Sequence, residues 1–128
     1  MKLLKYWKPI IVALIIFYGS VTSSENLNKV SFIQIKHLDK IVHLIFYFSF
    51  TLTILTSLFK YSTLKRKKQF LLAITISVCY GLLMEFIQYY FTETRMAEIL
   101  DIFFNIGGCL LGVLTFNLLK NTKLVRFL

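Results

Sequence analysis

The sequence predicts an all-α integral membrane bundle of four transmembrane helices with both termini in the cytoplasm. Of the 128 residues, 57% are apolar and 16% charged, with a mean hydropathy of +0.71. That composition is too apolar for a water-soluble domain and incompatible with disorder. The apolar residues are gathered into four runs, three of them long enough to cross a ~30 Å hydrocarbon core at ~1.5 Å per residue. The basic residues keep to one side of those runs. At this length residues 1–128 are read as a single domain, with its motif-bearing core at 39–112.

The first run, Trp7 to Thr22, is the shortest. Its basic lead (Lys2, Lys5, Lys8) and the small polar residues Ser20, Ser23 and Ser24 also fit a cleavable signal peptide. It is read as a retained anchor, and cleavage would leave the directions of the other spans unchanged. Pro9, the only proline, falls in its first helical turn, where a missing N–H does no harm. Ser24 to Leu38 form the one long loop, and Val30, Phe32, Ile33, Ile35 and Leu38 predict that it lies against the membrane interface. Ile41 to Phe59, Phe70 to Phe91 and Ile99 to Leu119 are the full-length spans. Ser49, Thr53 and Thr56 on the second span are read as interhelical hydrogen-bonding groups. Cys79 and Cys109, within the third and fourth, are read as free packing thiols.

Orientation follows from the loops, because Lys and Arg near span ends are retained in the cytoplasm. Lys2, Lys5 and Lys8 precede the first span, Lys60, Lys65, Arg66, Lys67 and Lys68 join the second to the third, and Lys120, Lys123 and Arg126 follow the fourth. These are eleven of the fifteen basic residues. All six acidic residues lie on the other side or in the outer half of a span. The net charge of +9 therefore reflects topology and attraction to anionic headgroups, not a nucleic-acid partner. The expected location is a membrane whose cytoplasmic side carries the basic loops.

Ionisable groups inside a span are costly, about 2.5 to 3.5 kcal/mol each at the centre, so their positions carry information. Asp39, Lys40 and His43 open the second span on one helix face, and Tyr47 continues it. On the third span Ser77, Gly81, Glu85 and Gln88 make one polar-and-small stripe on an otherwise apolar helix. The fourth begins with Asp101, followed on the same face by Asn105, Gly108 and Gly112. The two glycines form a GxxxG pair suited to close helix approach within the chain. Because successive spans alternate direction, all three polar segments converge at the outer surface. Glu85 and Asn105 are expected on the order of 9 Å inside it, six residues at ~1.5 Å each. Arg95, in the loop Thr92 to Glu98, can fold over Glu85, Gln88 and Asp101. The predicted constellation is Asp39, Lys40, His43, Glu85, Gln88, Arg95, Asp101 and Asn105.

The joint order of these motifs resembles the VanZ-like family. The residues that carry the resemblance are DKxxH (Asp39, Lys40, His43), GxxxExxQ (Gly81, Glu85, Gln88) and RxxxxxDxxxNxxGxxxG (Arg95, Asp101, Asn105, Gly108, Gly112). The resemblance implies a small multi-pass bacterial membrane protein, in a family named for a member associated with resistance to the glycopeptide teicoplanin.

As chemistry, Glu85 or His43 could serve as general acid or base, with Asp101 beside them as a third catalytic candidate. Arg95 and Lys40 could clamp an anion, with Asp39, Gln88 and Asn105 completing a substrate-binding set and Gly81, Gly108 and Gly112 packing the helices. At headgroup depth the compatible ligand is an anionic amphiphile: a phospholipid, an isoprenoid-phosphate carrier or a lipid-linked cell-wall precursor. No cofactor is expected. A metal held by His43, Glu85 and Asp101 is a secondary reading, opposed by the two basic residues and unsupported by any HExxH or paired cysteines. No serine or cysteine stands beside His43 in the motifs, which disfavours nucleophilic catalysis. Transport ranks last, since no interrupted helix marks a midplane site. The non-catalytic alternative is that the charges neutralise one another and cross-link three helices in a structural or accessory membrane protein. No feature of the sequence sets an oligomeric state.

Overall fold

The computed structural model describes residues 3–21, 38–91, 99–123 and Val125. Arg95 and all of the expected loop Ser24 to Leu38 except Leu38, which begins a helix, lie outside the described residues. A short 3-10 turn, Leu3–Tyr6, leads into α1 (Trp7–Val21), followed by α2 (Leu38–Tyr61), α3 (Arg66–Phe91) and α4 (Ile99–Leu119). Among the described residues there is no strand.

Among the described residues three helices, α2, α3 and α4, are long and apolar enough to cross a membrane. Helix α1 has 15 residues, roughly 22 Å at ~1.5 Å per residue, and is short for a full crossing. It is nonetheless part of the bundle: Ile16 is buried, the Tyr80 hydroxyl of α3 donates to the Ala13 carbonyl at 2.7 Å, and Gly19 faces Phe46 of α2. Helix α3 starts four residues before the expected Phe70, so Arg66, Lys67 and Lys68 form its first turn and not a loop. Lys and Arg are good helix formers, and the side chain of Gln69 fixes the turn by donating to the Leu58 carbonyl (3.3 Å) and the Leu64 carbonyl (3.0 Å).

The packing is inverted relative to a soluble protein. Leu14, Tyr18, Leu71, Phe86, Phe103, Leu110 and Leu118 are exposed, while Lys40, Thr51, Ser77, Glu85, Gln88, Asp101 and Asn105 are buried. In water that exterior would drive aggregation; in lipid it is the required surface, and the polar groups find one another inside.

Helices α2 and α4 approach most closely, and glycine is the reason. A Cβ on Gly108 would stand 2.4 Å from the Leu44 carbonyl oxygen, and one on Gly112 would stand 2.9 Å from that of Phe48. The GxxxG pair therefore packs within the chain. Around it, Tyr47, Leu55, Met84, Cys109 and Phe116 form the apolar core. At the far end Arg66 stacks its guanidinium 4.4 Å from the Phe59 ring, with Phe116 at 6.0 Å.

The hydroxyl groups of α2 divide differently from the expectation. Thr53 bonds back to the carbonyls of Ser49 and Phe50 (both 2.9 Å), and Thr56 to that of Thr53 (3.0 Å), the local alternative open to a helical threonine. The interhelical bond is made by Thr51, midway between Ser49 and Thr53, which donates to Ser77 of α3 at 2.9 Å, with the buried Cys109 thiol of α4 in reach of both. A Thr51→Val, Ser77→Ala double-mutant cycle on thermal unfolding in detergent is expected to give a coupling of about 0.6 and at most about 1.7 kcal/mol. Additive single effects would show that the bond contributes nothing.

Candidate functional site

The start of α2, the end of α3 and the start of α4 meet at one end of the bundle, opposite the basic end. Each delivers a titratable side chain to the same point. His43 Nδ1 lies 2.9 Å from Asn105 Oδ1 and 3.7 Å from Glu85 Oε1. An amide oxygen can only accept, so Nδ1 carries the proton in this contact, and in a neutral imidazole Nε2 is then the nitrogen with the lone pair. Four residues before His43, Asp39 stands on the first turn of α2. Lys40 Nζ is 3.1 Å from Asp39 Oδ2 and 3.5 Å from Asp101 Oδ1 of α4. Asp39 is 45% exposed at its side chain, whereas Lys40 and Asp101 are nearly closed off at 6% and 8%. The exposed and buried carboxylates thus share one ammonium, and the buried pair is much less screened than the exposed one.

Glu85 is buried beside the imidazole, and Gln88, one turn further along α3, is buried on the same face. Gly81, one turn before Glu85, makes room for two neighbours: a Cβ there would meet Tyr47 Cε1 at 3.3 Å and Asn105 Nδ2 at 3.4 Å. Gly81 therefore seats the asparagine that orients His43.

One atom each from His43, Glu85 and Asp101 falls within a mutual 4.8 Å, a geometry that would admit a metal ion. Asn105 already engages His43 Nδ1, and Lys40 lies against Asp101. The Lys40 ammonium opposes a cation at Asp101, whereas the Asn105 contact leaves Nε2 free and does not.

Of the predicted constellation, Asp39, Lys40, His43, Glu85, Gln88, Asp101 and Asn105 gather at this end. Arg95 lies outside the described residues. Tyr47, read from the sequence only as an extension of the polar face, is fully buried, and its hydroxyl has no hydrogen-bond partner among the described residues. Its position one turn after His43 was the available signal. A buried hydroxyl in an apolar bundle normally has a partner, so Tyr47 joins the candidate site as a donor.

Neither a search of curated proteins nor one of solved structures returns a match. A family model described as VanZ/LLP1 matches residues 5–120, which takes in α1 as well as every motif residue of the polar end. With nearly the whole length matched and the motif helices assembled around one cluster, this chain belongs to the VanZ/LLP1 family.

Proposed function

We propose that the polar end of the bundle is a working site that binds an anionic lipid-linked molecule of the cell envelope and acts on it by proton transfer. The observation that carries this reading is the meeting of His43, Glu85 and Asp101 from three helices within 4.8 Å, in a bundle whose exterior is apolar. Bringing such groups together in lipid is unfavourable, and intramembrane ionisable clusters are for that reason associated with function. Asn105 fixes the imidazole through Nδ1, which leaves Nε2 to accept or return a proton while the Glu85 carboxylate stabilises the charge that develops. Lys40 holds Asp39 and Asp101 together, and Arg95, which stands between α3 and α4 in the sequence, takes the ligand's phosphate. The lysines at the opposite end support an outward-facing cluster in the bacterial cytoplasmic membrane. In that orientation the ligand is a phospholipid, an isoprenoid phosphate or a lipid-linked wall precursor, and alteration of such a molecule is the route by which a protein of this kind would influence glycopeptide susceptibility.

A second reading is favoured by the pairing of Lys40 with two carboxylates: the cluster as a brace between helices. The two separate on Arg95. Purified in mild detergent, the wild type is expected to retain an anionic lipid or prenyl phosphate detectable by mass spectrometry. Arg95→Ala is expected to retain roughly tenfold less or lower still, the value of one charge-assisted hydrogen bond, with the deficit shrinking as salt rises. Equal loading of both proteins at low salt contradicts the reading.

A further inference from the structure

The basic end of the bundle contains a cleft that the proposed function does not use. Lys5, just before α1, Lys8 in its first turn and Lys60 at the end of α2 surround it, and Thr56 and Ser57 line it from within. Both hydroxyl residues are almost completely buried. They precede Tyr61 by five and four residues, so the cleft reaches about 6 to 8 Å below the end of α2 at ~1.5 Å per residue. Trp7 and Tyr61 form its rim, with Lys5 Nζ 5.6 Å from the Tyr61 ring and Lys8 Nζ 5.7 Å from the Trp7 ring.

Cytoplasmic retention of positive charge requires lysines near the span ends but does not require them to converge. Here three ammonium groups from two separate stretches of chain face one recess, and Lys8 and Lys60 are close enough to repel. Lysine stems are long and flexible enough to splay into water, so a shared recess with hydroxyl groups at its floor is a geometry matched to a bound anion. Indole and phenol rings at the rim are what a site at headgroup level presents.

We infer that this cleft is a second binding site, specific for a phosphate group, on the face of the membrane opposite the motif cluster. Its oxygens would be met by the ammonium groups of Lys5, Lys8 and Lys60 and by the Ser57 hydroxyl below, the Thr56 hydroxyl being committed to the Thr53 carbonyl. Such a group is carried by an anionic phospholipid or by a free phosphate ion.

The test uses the full chain in nanodiscs of phosphatidylcholine alone or mixed with phosphatidylglycerol, followed by native mass spectrometry and thermal unfolding. Wild type is expected to retain phosphatidylglycerol in preference to phosphatidylcholine and to unfold at a higher temperature when it is present. Lys8→Gln/Lys60→Gln is expected to lower that retention by about fivefold for each lysine removed, from ~1 kcal/mol per basic residue near an anionic surface. Lys65→Gln/Lys67→Gln, which removes the same charge from the α2–α3 junction outside the cleft, is expected to leave retention near the wild-type level. Displacement of phosphatidylglycerol by inorganic phosphate identifies the free ion as a ligand, and resistance to it identifies the lipid; either fits the site. Equal losses in the two double variants, or no preference for phosphatidylglycerol by the wild type, would overturn the inference. If the double cleft variant fails to fold, the single variants Lys8→Gln and Lys60→Gln carry the same comparison, each expected to lose about fivefold in retention.

Discussion

Replacing Gly108 with alanine is expected to force α2 and α4 apart and to destabilise the protein by at least about 1–3 kcal/mol, the usual range for overpacking a close contact. The new Cβ would meet the Leu44 carbonyl oxygen at 2.4 Å and the Phe48 amide nitrogen at 2.9 Å. Both are backbone atoms of a helix, so no rotamer change relieves the clash and the whole of α2 must shift. The neighbouring Gly107 supplies the control, since a Cβ there meets nothing within 4 Å. Gly107→Ala is expected to be neutral or to stabilise by up to ~1 kcal/mol, through the better helix propensity of alanine. Thermal unfolding in detergent, with membrane yield alongside, checks both. Similar behaviour of the two variants would show that the α2–α4 approach is looser than described. The shift would also displace His43, on α2, from Asn105, on α4, so loss of the site should accompany loss of stability.

The second large effect is expected at Lys40. Its ammonium is the contact shared by Asp39 and Asp101, and both it and Asp101 are almost fully removed from solvent. Lys40→Met keeps the length of the side chain and removes the charge, leaving Asp101 buried beside Glu85 and His43 with its cation gone. Breaking one side of a buried ion pair costs about 3–5 kcal/mol. Asp39→Asn, in contrast, alters a carboxylate that is 45% exposed, and is expected to cost at most about 1 kcal/mol. The double variant Lys40→Met/Asp101→Asn should recover part of the single loss, because the uncompensated carboxylate is removed as well. Unfolding measurements on the four proteins decide this. A Lys40→Met protein as stable as wild type would mean that Asp101 is neutralised by another group.

Much of this arrangement was legible in the sequence because a bilayer leaves few alternatives. Runs of apolar residues with no internal proline dictate uninterrupted helices, and the observed α4 has the same limits as the run that predicts it. The positions of Asp39, His43, Glu85, Asp101 and Asn105 on their helices, combined with alternating span direction, were sufficient to bring them to one end. What helix faces do not specify is pairing at the scale of one side chain. Nothing in the spacing distinguishes Thr51 from Thr53 as the partner of Ser77, because both hydroxyls are on α2 and only the rotation of the packed helix separates them. The same holds for Lys40, whose two carboxylate partners come from its own helix and from α4. The early start of α3 at Arg66 was hidden by its charge, since a basic run next to a membrane reads as a loop although its residues favour helix. Spacing puts Tyr47 on the face of His43, but its close seating against α3 depends on the room that Gly81 leaves, which periodicity does not specify.

The central claim is that the polar end works on a ligand and does not only hold helices together, and Glu85 tests it most directly. Glu85→Gln preserves shape and hydrogen-bonding capacity but removes the carboxylate beside His43. The decisive measurement is thermal unfolding of the purified wild type and Glu85→Gln proteins, together with mass spectrometry of the lipids each carries. The account predicts nearly equal stability and the same anionic lipid or prenyl phosphate bound to both, unconverted in the variant, since loss of a general acid or base slows turnover by about 10²- to 10⁴-fold. A variant that unfolds well below the wild type, with no retained lipid in either protein, would contradict it and leave the cluster as a helix brace.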